Sequence, residues 1–366
     1  MANDYLPPLF FTPVFKGKVW GGRNLRTILD KAISPEARIG ESWELSGYPT
    51  DMSVAADGPY AGKPLADIIS ARGKEILGTA FGGTWFPLLY KFIDAQDKLS
   101  IQVHPDDAQA RAAGWGAYGK TECWYIIHTE PDTKVIAGFN RPVTGPEIRE
   151  RIASGTLVEV LNIMDIHDGD LIYVPAGTVH ANQPGTFLYE VQQTSDTTLR
   201  LYDWSRNDPN RPLHIDESLS VLDMSHHDRH RIPAIELASD RGVSHRLRVA
   251  CRYFAIEEYD FHSSCEVRLP RRGSFRVVTV IAGTLSLAHD QGTCKIMKGQ
   301  TVLLPWTVTK AIAAAEEQTR FLVSWVPDLQ KEIIDPLRAA GVGDDAIELL
   351  GGNPLRNDLL PLLRKG

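Results

Sequence analysis

Cysteine is scarce in this sequence, and a long apolar run is missing. The four cysteines among 366 residues are scattered, and none forms a C-x-x-C pair. We therefore expect reduced, buried thiols rather than a disulfide framework or a thiolate zinc site. No run approaches the roughly 18 apolar residues of a transmembrane helix, and no basic segment with an apolar core marks the N-terminus as a secretion signal. These absences predict a cytoplasmic protein without a membrane partner.

A dense basic tract is also missing. The chain has 39 Lys and Arg against 46 Asp and Glu, a net charge of −7, and charges of both signs are interspersed. Nucleic acid is not expected as a partner, because its phosphates require grouped cations. A small anionic substrate stays compatible, since a few Lys and Arg can line a pocket of an acidic protein.

Short apolar runs broken by Gly, Pro and Asp fill most of the chain. Their spacing, about 8–12 residues, is typical of β-sandwiches and barrels, so we predict a mainly β protein with a few short helices. Helical spacing and capping signals occur in four segments. These are KPLADIISARGKEILG, HPDDAQARAAGW, TGPEIRERIASGT and IDESLSVLDM.

The composition changes near Ser225, where SHHDRHRIPAIELASDRG is polar and rich in His and Arg. We predict that this segment separates two β units. The expected division is an N-terminal catalytic domain over 1–225, a linker over 226–240, a C-terminal domain over 241–328 and a helical extension over 329–366.

Histidines outside the motifs described below are expected to be structural or solvated. His226, His227 and His230 lie in the predicted linker, where no acid or thiol stands at metal-ligand spacing. His128 and His167 are expected to be surface or structural residues. None of the five is a predicted metal ligand.

The segment GDLIYVPAGTVHAN carries the pattern G-x5-P-x-G-x2-H, with Gly169, Pro175, Gly177 and His180. Glycine and proline favour a tight turn, after which a strand directs the imidazole inward. This pattern resembles the second motif of the cupin superfamily. The resemblance implies that the two β units are cupin-like jelly-roll barrels.

The segment LSIQVHPDD alternates apolar and polar residues. In a strand, Ser100, Gln102 and His104 share one face. The first cupin motif begins H-x-H and continues to a nearby Glu. Here Gln102 stands in place of the first histidine, and Glu122 in GKTE is the nearest suitable acid.

Together these segments resemble type I mannose-6-phosphate isomerases of the short bacterial form, over about residues 8–205. The matching segments are SIQVHPD at 100–106, GKTE at 119–122, SDTTLR at 195–200, KVWGG at 18–22 and GESWELS at 40–46. The family interconverts D-mannose 6-phosphate and D-fructose 6-phosphate, so the resemblance implies a sugar phosphate as the small-molecule partner.

The resemblance implies four metal ligands, Gln102, His104, Glu122 and His180. Two imidazoles and a carboxylate form a common catalytic zinc set that leaves positions open for substrate or water. The neutral Gln102 keeps a net positive charge on the site. One divalent metal is expected, zinc first, although these ligands also accept Fe, Co or Mn.

Ser100 and Lys91 are the residues that the resemblance suggests for binding the phosphate. Ser100 shares the face of Gln102 and His104, so it can line the same pocket. An exposed lysine at a strand end is the open alternative for Lys91.

Isomerisation moves a proton between C1 and C2 through an enediol or enediolate. Lys120 and Arg200 can stabilise negative charge that develops on O1 or O2. The general base is expected to be Glu190 or Asp196. Asp196 is otherwise expected to contact substrate, or to hold the strand end by capping or an ion pair.

The second β unit repeats part of the motif in GQTVLLPWTVTKA. Gly299 and Pro305 keep the G-x5-P spacing, but the second glycine is missing and Lys310 stands where His180 would be. We expect this unit to keep the cupin shape without the metal.

Two other functions compete with the isomerase. One is another cupin metal enzyme, such as an oxygenase or a different sugar-phosphate isomerase. The other is a sugar-binding regulator without turnover. An oxygenase has no use for Lys91, Ser100 or Lys120, and a regulator would tolerate loss of the ligands or of Arg200. We expect a monomer or a homodimer.

Overall fold

The computed structural model describes residues 5–79, 81–206, 208–240 and 242–365. Its helices are α1 (Asn24–Thr27), α2 (Leu65–Leu77), α3 (Asp107–Ala112), α4 (Gly145–Ser154), α5 (Ile215–Val221), α6 (Asp335–Ala339), α7 (Asp344–Leu349) and α8 (Leu360–Leu363). A π-helical turn spans Leu329–Ile334, and short 3-10 turns span Pro49–Asp51, Gly58–Tyr60, Leu157–Val160 and Pro354–Arg356. Within the described ranges, no helix is long and apolar enough to cross a bilayer.

Strands make up most of the fold. Those up to residue 202 are β1 (Leu9–Phe10), β2 (Val14–Lys16), β3 (Glu41–Ser46), β4 (Leu88–Ala95), β5 (Ile101–Val103), β6 (Glu122–Thr129), β7 (Lys134–Phe139), β8 (Leu161–Asp165), β9 (Leu171–Val174), β10 (His180–Asn182), β11 (Thr186–Gln193) and β12 (Leu199–Tyr202). The later ones are β13 (Ile235–Asp240), β14 (Val243–Ala250), β15 (Ala255–Phe261), β16 (Cys265–Arg268), β17 (Arg276–Ala282), β18 (Thr284–His289), β19 (Gly292–Met297), β20 (Thr301–Leu304), β21 (Ala311–Ala315) and β22 (Thr319–Trp325).

The four helices predicted from the sequence are confirmed as α2, α3, α4 and α5. Local signals explain where they begin and end. At the start of α3, the Asp106 carboxylate accepts from Gln109 N, and the Gln109 side chain accepts from Asp106 N, both at 2.9 Å. This reciprocal pair is a capping box. Helix α2 ends at Leu77 and is followed by Gly78, whose φ of 84° suits glycine.

The strands form two jelly-roll units, each with two antiparallel sheets. The N-terminal unit has a six-stranded sheet, β2-β3-β4-β11-β6-β9, facing a five-stranded sheet, β12-β5-β10-β7-β8. The C-terminal unit has a seven-stranded sheet, β13-β14-β15-β22-β17-β20-β1, facing a four-stranded sheet, β16-β21-β18-β19. Apart from β1 and β12, the strand order of the first unit recurs in the second. The predicted mainly β fold with two cupin-like units is confirmed.

The two large sheets pack against each other and bury a shared apolar core. Tyr90 and Tyr189 of the first unit also form polar contacts across this interface. Tyr189 Oη lies 2.6 Å from Thr279 Oγ1, and Ser324 Oγ donates to Tyr90 Oη at 3.1 Å. Paired hydroxyls satisfy groups that would be costly to bury alone. The large sheet of the first unit is therefore supported from behind by the second.

The predicted linker differs from the structure in two respects. Residues 235–240 form strand β13 of the C-terminal sheet. His230 is buried rather than solvated, because its Nδ1 lies 3.4 Å from the carbonyl of Tyr173 and Gly138 leaves room for its ring. The proposed domain bounds at residues 1, 241 and 366 lie outside the described residues.

Lys310 does not occupy the place of His180. Lys310 is exposed, whereas Ala311 is fully buried and begins β21, as His180 begins β10. Ala311 pairs with β18, and His180 pairs with the equivalent strand β7. The turn after the proline is one residue longer in the second unit, so equal sequence spacing misidentified the equivalent residue.

Candidate active site

Strand register in the five-stranded sheet brings three predicted site residues into one row. Gln102 on β5 pairs with Arg200 on β12 and with His180 on β10. His104 directly follows β5. Because alternate residues of a strand face the same way, Ser100 and His104 accompany Gln102 toward the barrel interior.

A second row lies on the facing six-stranded sheet. Glu190 on β11 pairs with Lys91 on β4 and with Trp124 on β6. Glu122, two residues before Trp124, shares its face of β6. Most of the predicted residues therefore come from two opposed rows of adjacent strands.

His104, Glu122 and His180 converge between these rows. Glu122 Oε2 lies 3.6 Å from His104 Nε2, and Glu122 Oε1 lies 3.4 Å from His180 Nε2. All three side chains are buried, and one donor atom of each lies within 4.8 Å of the other two. Three of the four predicted ligands thus converge from the end of β5, from β6 and from β10.

The protonation states of both imidazoles suit a metal. The Nδ1 atoms of His104 and His180 donate to the carbonyls of Thr197 and Thr178, each at 2.8 Å, which leaves both Nε2 lone pairs toward Glu122. Burial, with Lys120 nearby, lowers the His104 pKa well below its usual value. Burial lowers the His180 pKa to about 4. Two neutral imidazoles and a carboxylate fit a divalent ion such as zinc.

Gln102 and Lys120 contact these ligands directly. Gln102 Nε2 lies 3.3 Å from His180 Nε2, and Gln102 Oε1 accepts from Ser100 Oγ at 3.2 Å. Ligation through the Gln102 carbonyl therefore requires its amide to turn over. Lys120 donates to His104 Nε2 at 3.1 Å and also binds the Glu122 carboxylate.

Glu190 and Lys91 form a buried ion pair in the same cavity. Lys91 Nζ lies 3.4 Å from Glu190 Oε1, and Trp124 Nε1 donates to Glu190 Oε2 at 3.1 Å. Burial and the Glu122 charge raise the Glu190 pKa. Burial disfavours charged Lys91, but Glu190 and Glu41 outweigh it and raise the Lys91 pKa. Lys91 is therefore buried and charged, not an exposed strand-end lysine.

Arg200 and Asp196 lie nearer the mouth of the cavity. Arg200 is partly buried and donates from Nη1 to Pro212 O at 2.8 Å, while its buried Nε has no hydrogen-bond partner among the described residues. Burial, with Arg211 nearby, lowers the Arg200 pKa. Asp196 is exposed at the rim.

The cavity has a volume of about 270 Å³. Eight of the ten predicted residues line it, with His104 and His180 behind: Lys91, Ser100, Gln102, Lys120, Glu122, Glu190, Asp196 and Arg200. Its lining also includes Lys18, Glu41, Trp124, Asn182 and Arg211, which the sequence did not single out. Trp124 and Asn182 lie two residues after the predicted ligands Glu122 and His180 on the same strands, so alternation could have found them. His128 and His167 are exposed, as predicted.

Comparison with known proteins identifies the family. The model of the phosphomannose isomerase type I catalytic domain matches residues 9–120, and that of the mannose-6-phosphate isomerase cupin domain matches 246–316. The mannose-6-phosphate isomerase of Streptococcus mutans is 36% identical, covering 82% of this chain and 93% of that protein. Bacillus subtilis ManA, a mannose-6-phosphate isomerase, is 35% identical, and the match covers 82% of this chain and 93% of that protein.

A crystal structure of the Bacillus subtilis mannose 6-phosphate isomerase has a similar fold. The TM-score is 0.79 at 35% identity, and the match covers 87% of this chain and 99% of that one. Sequence and structure agree over both jelly-roll units. The chain belongs to the type I phosphomannose isomerase family.

Proposed function

We propose that the chain interconverts D-mannose 6-phosphate and D-fructose 6-phosphate through an enediol or enediolate, using one divalent metal ion, zinc first. The observation that carries the proposal is the convergence of His104, Glu122 and His180 on a cavity that also holds the buried Glu190 carboxylate and several cationic side chains, among them Lys91, Lys120 and Arg200. Membership of the type I phosphomannose isomerase family supports the choice of mannose 6-phosphate and fructose 6-phosphate as substrates. A pocket of this kind can bind an anionic sugar and move a proton within it.

His104, Glu122 and His180 would hold the metal, with Gln102 as a fourth, neutral ligand. When bound, the ion supplies positive charge that polarises a carbonyl and stabilises an oxyanion. Carbonyl acceptors orient both imidazoles, and burial lowers the pKa of each, so neither needs to lose a proton to bind at neutral pH. Lys120 donates to two of these ligands and can also donate to a substrate oxygen.

Glu190 is our choice for the general base. Its Oε1 is buried at the cavity with the Lys91 ammonium 3.4 Å away, while Trp124 Nε1 donates to Oε2. Burial raises its pKa, which strengthens a carboxylate as a base. Glu190 would take the proton from one carbon and return it to the adjacent carbon. Asp196 is exposed at the rim, where it would contact substrate instead.

Cations surround the place where negative charge would develop. Lys120 and Arg200 approach from opposite sheets, so they could donate to O1 or O2 while the proton moves. Ser100 and Lys91 are proposed to bind the phosphate. We expect Arg200→Ala to keep the metal while kcat falls about 100-fold, the usual effect of losing one such donor.

Turnover with a defined substrate tests the proposal. Purified protein should convert mannose 6-phosphate to fructose 6-phosphate, lose this activity with a chelator and regain it with added Zn²⁺. No turnover by the zinc-loaded protein would contradict the isomerase and favour a sugar-phosphate regulator. Oxygen consumption by iron-loaded protein would support an oxygenase instead. A monomeric or homodimeric state and a cytoplasmic location remain predictions from the sequence.

A further inference from the structure

The Asp107 carboxylate joins two segments of the proposed site. One segment carries His104, and the other carries Lys120 and Glu122. Asp107 lies three residues after His104, and its Oδ1 accepts from Gly119 N at 2.7 Å and from Gln193 Nε2 at 2.9 Å. Gly119 immediately precedes Lys120. Asp107 thereby fixes the direction in which the chain enters the site.

The same neighbours hold the rest of this segment. Lys120 N donates to Pro105 O at 3.0 Å, Thr121 N donates to Gln193 Oε1 at 2.9 Å, and Gln193 N donates to Thr121 O at 3.1 Å. A Cβ on Gly119 would lie 2.6 Å from Pro105 O, so glycine is needed for this close approach. The backbone before Glu122 therefore takes its position from the turn that follows His104 and from Gln193.

The second jelly-roll unit reaches this network through one hydroxyl. Tyr253, in the turn between β14 and β15, donates to Asp107 Oδ2 at 3.1 Å. The neighbouring Arg252 N donates to Asp358 Oδ2 at 2.9 Å, so the C-terminal segment anchors this turn. The three hydrogen bonds of Asp107 thus come from the entering segment, from β11 and from the other unit.

We propose that Asp107 is a positioning residue for the metal-ligating group, and that Tyr253 holds the Asp107 carboxylate in its working orientation. The inference rests on the proposed function, because that function assigns His104 and Glu122 as ligands. Metal sites depend on groups that orient their ligands, and loss of such groups typically weakens metal affinity about 10–100-fold. The second unit would then contribute to the site itself, beyond covering the sheet.

The sharpest test compares Tyr253→Phe with Tyr259→Phe. Each change removes one hydroxyl from a carboxylate, because Tyr259 donates to Glu257 at 3.0 Å inside the second unit. Three measurements are needed: the Co²⁺ dissociation constant from its visible absorption, hydrogen exchange of residues 118–124 without metal, and kcat with KM. Tyr253→Phe should weaken Co²⁺ binding about 5-fold, speed exchange and lower kcat with little change in KM. Tyr259→Phe should change none of these.

Asp107 itself gives a stronger test with an internal rescue. Asp107→Ala should weaken Co²⁺ binding at least 10-fold. Asp107→Asn should restore most of it, because its Oδ1 can still accept from Gly119 N and its amide can donate to the Tyr253 oxygen. If Asp107→Ala fails to fold, the comparison of Tyr253→Phe with Tyr259→Phe still tests the positioning role.

The outcomes separate this inference from the proposed function. Equal Co²⁺ affinity, exchange and kcat in the two tyrosine variants would overturn the positioning role and leave the isomerase standing. Faster exchange and weaker Co²⁺ binding only in Tyr253→Phe, in a protein that does not turn over mannose 6-phosphate, would support positioning and overturn the isomerase. The exchange measurement needs neither metal nor substrate.

Discussion

The two jelly-roll units share a strand order but carry opposite chemistry at matching positions. Glu122 on β6 pairs with Val174, the residue before Pro175, and Arg276 on the equivalent strand β17 pairs with Leu304, the residue before Pro305. By the same comparison, Lys91 corresponds to Glu257 and His180 to Ala311. The common fold provides the positions, and a few side chains decide whether they form a site.

The interior of the second unit contrasts with that of the first, which holds His104, Glu122 and His180. Apolar side chains from both sheets fill the interior of the second unit. Arg276 is buried at the end of this interior, and its guanidinium donates to the carbonyls of Leu269, Pro270 and Val308. The positive charge of Arg276 therefore stabilises the fold of the second unit by binding backbone carbonyls. Strand β12, which carries Arg200, has no counterpart among the described strands of the second unit.

Making the first unit resemble the second at one position should have the largest effect. His180→Ala reproduces the residue found at Ala311, so we expect loss of bound metal and a fall in turnover of at least about 10⁴-fold. Metal analysis and the mannose 6-phosphate assay measure both. The control is His230→Ala, which removes a buried imidazole outside the site. Similar metal loss in both variants would contradict the ligand assignment.

The next comparison concerns the buried carboxylates. Glu190→Gln should lower kcat about 10²–10⁴-fold, the range for loss of a general base, while the metal stays bound. Glu257→Gln removes a buried carboxylate from the second unit and should reduce stability without changing kcat per folded molecule. Steady-state kinetics and thermal unfolding distinguish them. Equal kcat values for the two variants would rule out Glu190 as the base.

Acid should affect the first unit through its buried histidines, among them His180. The folded pKa of His180 is about 4, against about 6.5 when unfolded. Between these values the unfolded state binds more protons at this residue, so the contribution of His180 to the stability of the metal-free protein rises from pH 4 to 6.5 and then levels off. The difference is of the order of 3 kcal/mol.

Urea unfolding at pH 4 and pH 7 measures this contribution of His180 to the free energy of unfolding. Lys120 and Glu190 act on the same imidazole from the facing sheet, so the comparison uses His180→Ala in an otherwise unchanged site. The pH dependence of the variant should be smaller by that amount. If the free energy of unfolding depended on pH equally in the wild type and in His180→Ala, His180 would not be the source of the pH dependence.

The smallest effect on turnover is expected from Arg276→Met. The change leaves the carbonyls of Leu269, Pro270 and Val308 without their donor, so we expect a loss of about 1–3 kcal/mol in the free energy of unfolding. Turnover per folded molecule should stay within about twofold of the wild-type value. Thermal unfolding and the isomerase assay provide both values. A large fall in kcat would mean that the two interiors are coupled.

Local patterns in the sequence predicted much of the site. Alternation placed Ser100, Gln102 and His104 on one face, and the motif around Pro175 predicted the inward His180. The family resemblance added Glu122, and sheet register then explains why these positions meet. Alternation also extends to Trp124, whose indole binds both carboxylates of the site.

Contacts between distant segments could not be predicted in this way. Arg211 reaches the cavity from a loop, His230 is buried because Gly138 makes room for it, and the bond of Tyr253 to Asp107 spans both units. Each depends on three-dimensional packing rather than on spacing along the chain. Equal spacing even misled the comparison at Lys310, where one additional turn residue moved Ala311 inward.

The short strand β1 has a consequence for how the protein is made. Leu9 pairs with Leu303, so a strand near the start of the chain completes a sheet built mostly from its last third. During synthesis, we expect the first unit to fold while β1 stays unpaired, because β20 has not yet left the ribosome. Separating the units at the segment between them would leave β20 as an open sheet edge, a surface prone to pair with other chains. The two halves are interleaved, and a successful dissection would have to keep β1 with the second unit.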